Sequence, residues 1–263
     1  MSLLQVQQGQ PSIGPDVLGM IAGVPITNAF LMGLLVTTVL FLFFSRLKKK
    51  LKMVPGRVQA AAELLVEAFL DLLDQITANR NTSTKLLPLI GTLFLYIGVS
   101  NFIGLIPPLT VITYNGLPVF RTPTNDFNTT FSIAFAMVIL AQLASIKQFG
   151  LFTHLGKYFQ FVGIIKGFKK GIGAGFMSII DFLMGLLDII SEVAKVISLS
   201  LRLFGNMYAG EVLAAVLIGM LGIFLPAPWL AMNMLVAVLQ AMVFGALTAA
   251  YYTLAVAQPD EDM

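Results

Sequence analysis

The sequence predicts an all-α, polytopic membrane protein, and three observations carry that reading. Of 263 residues, 57% are hydrophobic and only 11% charged, against about half and about a quarter in soluble domains. Mean hydropathy is +0.89. The apolar residues also gather into runs of about 20, the length that spans a hydrocarbon core of roughly 30 Å. A soluble chain with so few charges could not cover its own surface. Zero cysteines exclude a disulfide scaffold and thiolate metal sites, and a single histidine, His154, argues against a histidine-based metal centre. No cofactor is expected. The whole chain, 1–263, reads as a single membrane domain.

Residues 1–24 are polar to mildly apolar and lack the basic start and small-residue cleavage site of a signal peptide. The first span, 25–44, ends against Arg46, Lys48, Lys49, Lys50 and Lys52. Such a block anchors the adjoining end on the cytoplasmic side and leaves the N-terminus outside. Its place beside a span favours that role over nucleic-acid binding. Residues 57–76 follow a helical period: Ala61, Leu65, Phe69, Leu72 and Ile76 form one stripe, and Glu63, Glu67, Asp71 and Asp74 another. This amphipathic helix either meets a partner protein or carries a plain solvated face; four acids argue against anionic lipid. A polar stretch, 77–84, closes the section.

The second span, 86–106, stops at Pro107 and Pro108, which cannot continue a helix. Turn signals follow at Asn115-Gly116, Pro118, Pro123 and Asp126. The third span covers 127–146, and Lys147, Lys157, Lys166, Lys169 and Lys170 come after it. No proline interrupts 176–225 or 229–256. As one helix, the first of these would be about 75 Å long, over twice the hydrocarbon core. It is therefore two spans or one strongly tilted helix, and Gly205-Asn206 is the one turn-like dipeptide inside it. With one helix there, five spans place thirteen basic residues inside, eight in 46–85 and five in 147–170, and only Arg121 outside. That asymmetry orients the first three spans with the N-terminus outside, and the single long fourth helix then brings the C-terminus to the cytoplasm.

The fourth long segment holds Asp181, Asp188, Glu192, Lys195, Arg202 and Glu211. A charge at a helix centre costs about 2.5–3.5 kcal/mol on insertion scales, so such residues point to function. Glu192 and Lys195, three apart, could simply neutralise each other, and Asp181 lies near the interface. Arg202 and Glu211 are nine apart, on nearly opposite faces and about 13 Å apart along the axis, so they cannot pair within a straight helix. Ser198, Arg202 and Asn206 form a polar stripe. Asn233 and Gln240 share a face of the last helix, as interhelical glue or as part of a pathway; opposite a fixed cation, the pathway is favoured. A guanidinium keeps its proton. It can set a field that favours ionisation of a passing carboxylate and repels leaking cations. The titrating carboxylate would then belong to another subunit.

The stretch Ser198-Leu-Ser-Leu-Arg202-Leu-Phe-Gly-Asn206-Met-Tyr-Ala-Gly-Glu211 closely resembles the signature of subunit a of F-type ATP synthases. Pro123-Thr-Asn-Asp126-Phe-Asn128 and Leu239-Gln240-Ala241 resemble two further stretches of that family, in the same order. The resemblance implies five membrane helices, the last two long and tilted, plus one amphipathic interfacial helix. It implies a non-catalytic, stationary ion-channel subunit in the cell inner (plasma) membrane. Its partners would be the ring subunits, c, and the peripheral-stalk subunits, b. By carry-over, Arg202 faces the ring carboxylates between two half-channels. Asn206, Glu211 and Gln240 line the ion route, and Asp126 and Asn128 stand near its outer entrance. Asp188 and Glu192 lie towards the cytoplasmic side. Two departures stand out: many members carry a histidine or acid at Asn233, and some an acid at Gly104. Asn233 cannot titrate, though it can hold water.

A stand-alone secondary transporter is the alternative from another class, but it predicts internal repeats and discontinuous helices, and no repeat is evident. A membrane-embedded hydrolase has little to work with, lacking cysteine and a histidine pair. The chain carries no P-loop.

Overall fold

A computed structural model describes residues 14–21, 23–104, 113–114, 117–158, 172–221 and 226–256. Residues 1–13, Pro107–Pro108, the Asn115-Gly116 turn, Lys166, Lys169, Lys170, the far end of the 176–225 segment and the acidic residues 260–262 lie outside the described residues.

The chain enters through a short antiparallel hairpin, β1 (Val17–Ile21) and β2 (Val24–Thr27), with Ile21 opposite Val24 and Val17 opposite Thr27. Gly23 takes φ 83° at its turn, a conformation with little penalty only for glycine. Thr27 then caps α1 (Asn28–Lys49), its hydroxyl accepting from the Phe30 amide at 3.2 Å. Arg46, Lys48 and Lys49 occupy the last turn, where positive charge complements the helix dipole. Asn28, Ala29, Met32 and Val36 are buried along one side of α1, whereas Phe30, Leu34 and Phe41 are exposed, Phe41 at 70%. An apolar face of that extent asks for lipid or a partner.

The amphipathic helix is α2 (Arg57–Thr77). Its buried stripe is Phe69, Leu73 and Thr77, with Phe69 edge-on to Phe94 at 4.4 Å. Leu64, Leu65 and Val66 in its middle remain exposed. The helix stops at Ala78, in the left-handed region with φ 52°. The next helix, α3 (Arg80–Gly104), begins at Arg80 rather than Leu86 and keeps Pro88 inside. The polar stretch closes the corner instead of separating the helices: Thr77 and Ser83 share a 2.7 Å hydrogen bond, and Arg80 reaches Asp74 at 2.5 Å and Asp71 at 3.4 Å. These exposed ion pairs add little stability.

A second small hairpin pairs β3 (Thr113–Tyr114) with β4 (Leu117–Pro118), and a 3-10 turn spans Pro123–Asn125. Helix α4 (Phe127–Phe149) ends at Gly150, which has φ 84°, and α5 (Leu151–Tyr158) follows. The last two elements are α6 (Ile172–Leu221), one 50-residue helix, and α7 (Pro226–Val256). Helix α6 runs unbroken through Gly205-Asn206. Among the described residues, Asn28–Lys49, Arg80–Gly104, Phe127–Phe149 and Pro228–Val256 are long and apolar enough to cross a membrane.

The chain divides into two compact units: Met1–Thr130 with Leu201–Ala249, and Phe131–Ser200 with Ala250–Met263. The first is built on Met32, Ile90, Ile97, Leu203 and Phe244, and the second on Ala134, Val138, Val196 and Leu199, all buried. In the first unit Gly104 abuts Thr122, and a Cβ there would lie 2.8 Å from the Thr122 Cβ. This packing explains why the chain has no acid at that position. Gly104→Asp is therefore expected to lower the amount of assembled protein severalfold on a membrane blot. Adding Thr122→Gly should restore much of it; failure of the second change to help would refute the steric account.

Candidate functional site

The first unit contains Arg202, Asn206, Glu211, Asn233, Gln240, Asp126 and Asn128. Asp126 is buried and starts its own helix. One carboxylate oxygen accepts from the Asn128 amide at 3.1 Å and the other from the Thr129 hydroxyl at 2.9 Å. This is helix capping with a negative charge at the positive end of the dipole. The 3-10 turn just before it points a different side chain at α6. Asn125, fully buried, donates its Nδ2 to Glu211 Oε2. Arg121 steadies the same loop, donating to the Asn125 carbonyl at 3.1 Å and to the Gly14 carbonyl at 2.5 Å. Thr124 donates to Asn101 Oδ1 at 2.5 Å. Residues 121–126 are all buried, an unusual run for such polar side chains.

Helices α6 and α7 meet through polar groups in this unit. Asn206 Nδ2 donates to Gln240 Oε1 at 2.7 Å. The Gly210 carbonyl accepts from Trp229 Nε1 at 3.2 Å and from Asn233 Nδ2 at 3.4 Å. Gly210 permits this approach, because a Cβ there would come within 2.9 Å of the Asn233 amide. Phe204 stacks on Tyr208 at 5.5 Å and meets Phe127 edge-on at 5.9 Å. Arg202, Asn206 and Glu211 are exposed, and Asn128 is too. Asn101 Nδ2, Asn125 Oδ1 and Gln240 Nε2 are buried without a hydrogen-bond partner among the described residues. A buried polar group left in that condition costs about 1–3 kcal/mol.

The second unit contains Asp188 and Glu192. Glu192 and Lys195 do pair, at 2.6 Å, with side chains only 23% and 20% exposed. Lys195 also lies over the Tyr251 ring at 5.2 Å. Among the described residues no cluster of histidine, aspartate and glutamate could hold a metal ion.

The family model for the ATP synthase A chain matches residues 28–253. The chain belongs to the ATP synthase subunit a family. It is 36% identical over 207 residues to ATP synthase subunit a of Desulforamulus reducens, covering 75% of this chain and 66% of that one. It is 33% identical over 219 residues to the subunit a of Desulfotalea psychrophila, covering 83% and 80%. For Aliivibrio salmonicida the figures are 33% over 261 residues, covering 92% and 90%. As a member of this subunit a family it is a membrane protein that is not itself catalytic.

Sequence reasoning missed Asn125, Arg121 and Trp229. Asn125 lies inside a stretch the sequence did single out, but its titratable neighbour drew the attention. Trp229 was visible as the single tryptophan at the start of a span, where an indole often finds a polar partner.

Proposed function

We propose that this subunit a family member is the stationary ion-channel subunit of an F-type ATP synthase, passing protons to and from the carboxylates of a rotating ring through two half-channels. One observation carries the reading. An exposed guanidinium, Arg202, stands one helical turn from the Asn206–Gln240 pair and about 13 Å along α6 from the Glu211–Asn125 contact. A fixed cation beside amides and a carboxylate is what a carboxylate-carrying rotor requires of its stator. The unpartnered amide atoms of Asn101, Asn125 and Gln240 are places that water satisfies, and a proton route needs water. In this reading Asn233 holds the α7 end of the route, Asn128 stands at its outer entrance, and Asp126 sets the loop that carries Asn125. Asp188 and Glu192 serve the cytoplasmic side.

The proposal includes α6 as a fifth membrane helix. At about 75 Å it must tilt strongly to keep its length near a 30 Å core. Ring subunits c and stalk subunits b are the partners, and the inner (plasma) membrane is the site. A stand-alone transporter would favour discontinuous helices around a midplane pocket; α6 is continuous across Ile172–Leu221. Reconstitution separates the two readings: this subunit alone in liposomes should move no ions and should need its ring.

The basic residues favour an outside N-terminus, and with α6 as one membrane helix the C-terminus lies in the cytoplasm. A reporter fused after Met263 should be active only in its cytoplasmic form. An extracytoplasmic reporter would mean an even number of spans and remove the single tilted helix.

A further inference from the structure

The second unit encloses a cavity of ≈ 70 Å³ at the junction of α4, α5, α6 and α7. A water needs roughly 10–15 Å³ of such space, so several fit. We propose that His154 is a proton-exchanging residue of this cavity, passing protons between water and the carboxylates of Asp188 and Glu192; this deepens the channel reading and rests on it.

His154 and Tyr158 of α5 line the cavity, facing Asp188, Glu192 and Lys195 of α6 and Ser145 of α4. From α7 the lining is Leu254 and Ala255, with Tyr251 beneath Lys195. His154 is the single histidine, the side-chain type whose ordinary titration falls between about pH 5 and 8. It is only 8% exposed, so its route to water runs through the cavity.

The hydrogen bonding suits a ring that changes charge. Ser145 Oγ lies 3.0 Å from His154 Nδ1. A hydroxyl donates to a neutral ring nitrogen and accepts from a protonated one. Ser145 therefore holds the ring in one orientation in both states and opposes neither. Tyr158 packs edge-on against the imidazole at 5.3 Å, and its hydroxyl donates to Gln142 at 3.2 Å. Burial, joined by the charges of Glu192 and Asp188, pushes the Tyr158 phenol above its ordinary pKa. The carboxylate field thus reaches α5. Lys195 engages one Glu192 oxygen, Oε1, at 2.6 Å.

The transfer balances. A proton leaving a carboxyl group, directly or through cavity water, gives a carboxylate and an imidazolium. Release of that proton to cytoplasmic water restores the neutral ring. The reverse sequence loads the carboxylate.

The alternative is a histidine that only braces the α4–α5 corner, and it moves different observables. The experiment uses the complete synthase in inverted vesicles, where the cytoplasmic face meets the external buffer. Passive proton conduction and ATP-driven acidification are measured as external pH is varied. The wild type should show an inflection that the histidine variants lack. His154→Gln, which can still bond Ser145, should lose the inflection and slow conduction roughly tenfold at alkaline pH. His154→Ala should be slow and recover when imidazole is added outside. Ser145→Ala, which keeps the ring, should shift the inflection, and it serves even where the histidine variants fail to assemble.

An assembled His154→Gln complex with the wild-type pH profile overturns the proposal, as does a His154→Ala defect that imidazole does not relieve, or an unshifted Ser145→Ala inflection. The channel reading fails by a separate signature: wild-type membrane sectors that conduct no protons, or Arg202→Ala complexes that pump.

Discussion

Replacing Arg202 by alanine is expected to abolish ATP-driven proton pumping and proton-driven ATP synthesis while the complex still assembles. Arg202 is exposed on α6, so removing its side chain leaves no cavity in the subunit's own core. The loss falls on whatever carboxylate comes past it. Two unit charges about 4 Å apart interact by roughly 4 kcal/mol at an effective dielectric of 20. That is about three pKa units, so without the cation the arriving group ionises on the order of a thousandfold less readily. In the proposed channel the direct path between half-channels also loses its barrier, and passive leak should persist or rise. Arg202→Lys should fail as well, because a flexible ammonium neither reproduces the planar fork nor reliably keeps its proton when desolvated. The measurement is ATP-driven acidification of inverted vesicles beside a blot for assembled subunits. Substantial pumping by the alanine variant removes both the mechanism and the choice of residue.

The next largest effect is expected at Glu211. Glu211→Gln should slow proton conduction by about tenfold or more without loss of assembled protein. The structure separates these two outcomes. Asn125 Nδ2 donates to Glu211 Oε2, and a glutamine carbonyl can accept the same bond, so the variant keeps the contact and loses only the titrating group. Glu211→Asp makes the converse test. It keeps a carboxylate but draws it back by one methylene from Asn125, so it should retain more conduction than glutamine. Passive conduction unchanged by Glu211→Gln across about pH 6–8 would exclude Glu211 from the route.

The helices were legible because their signal is periodic and long. Each apolar run is dense enough that hydropathy alone places α1, α3, α4 and α7. What escaped was short, or polar for a tertiary reason. The β1–β2 hairpin has strands of five and four residues, too brief for an alternating pattern to declare itself. The start of α3 was hidden because Thr77 and Ser83 bond each other across a helix corner and so look like loop residues. In α2 the buried stripe follows Phe69, Leu73 and Thr77, whereas the helical period pointed to Ala61, Leu65, Phe69, Leu72 and Ile76. At the site, the amides on α6 and α7 could be named from spacing, since Asn206 and Gln240 do meet. The loop could not be resolved that way. Only the 3-10 turn at Pro123–Asn125 decides that Asp126 turns back to cap α4 while Asn125 turns to Glu211.

Asn28 has a consequence for how the chain is made. This fully buried amide accepts from the Asp16 backbone, donates to the Asp16 carboxylate, and donates again to the Pro118 carbonyl, each at 3.2 Å. The last acceptor lies 90 residues downstream. At a synthesis rate of about 5–20 residues per second, that partner emerges roughly 5–20 s after Asn28. During that interval α1 can be inserted, but the bond from its first residue to Pro118 cannot be made. The same holds for Gly14, whose carbonyl waits for Arg121, 107 residues on. The hairpin at the front of the chain can pair within itself, but its tie to the loop beyond α3 is a late fastening, made only after that loop has emerged. A ribosome stalled before residue 118 should hold a nascent chain whose first helix is in the bilayer and whose hairpin, not yet tied to the loop beyond α3, is cut by protease faster than in the finished chain.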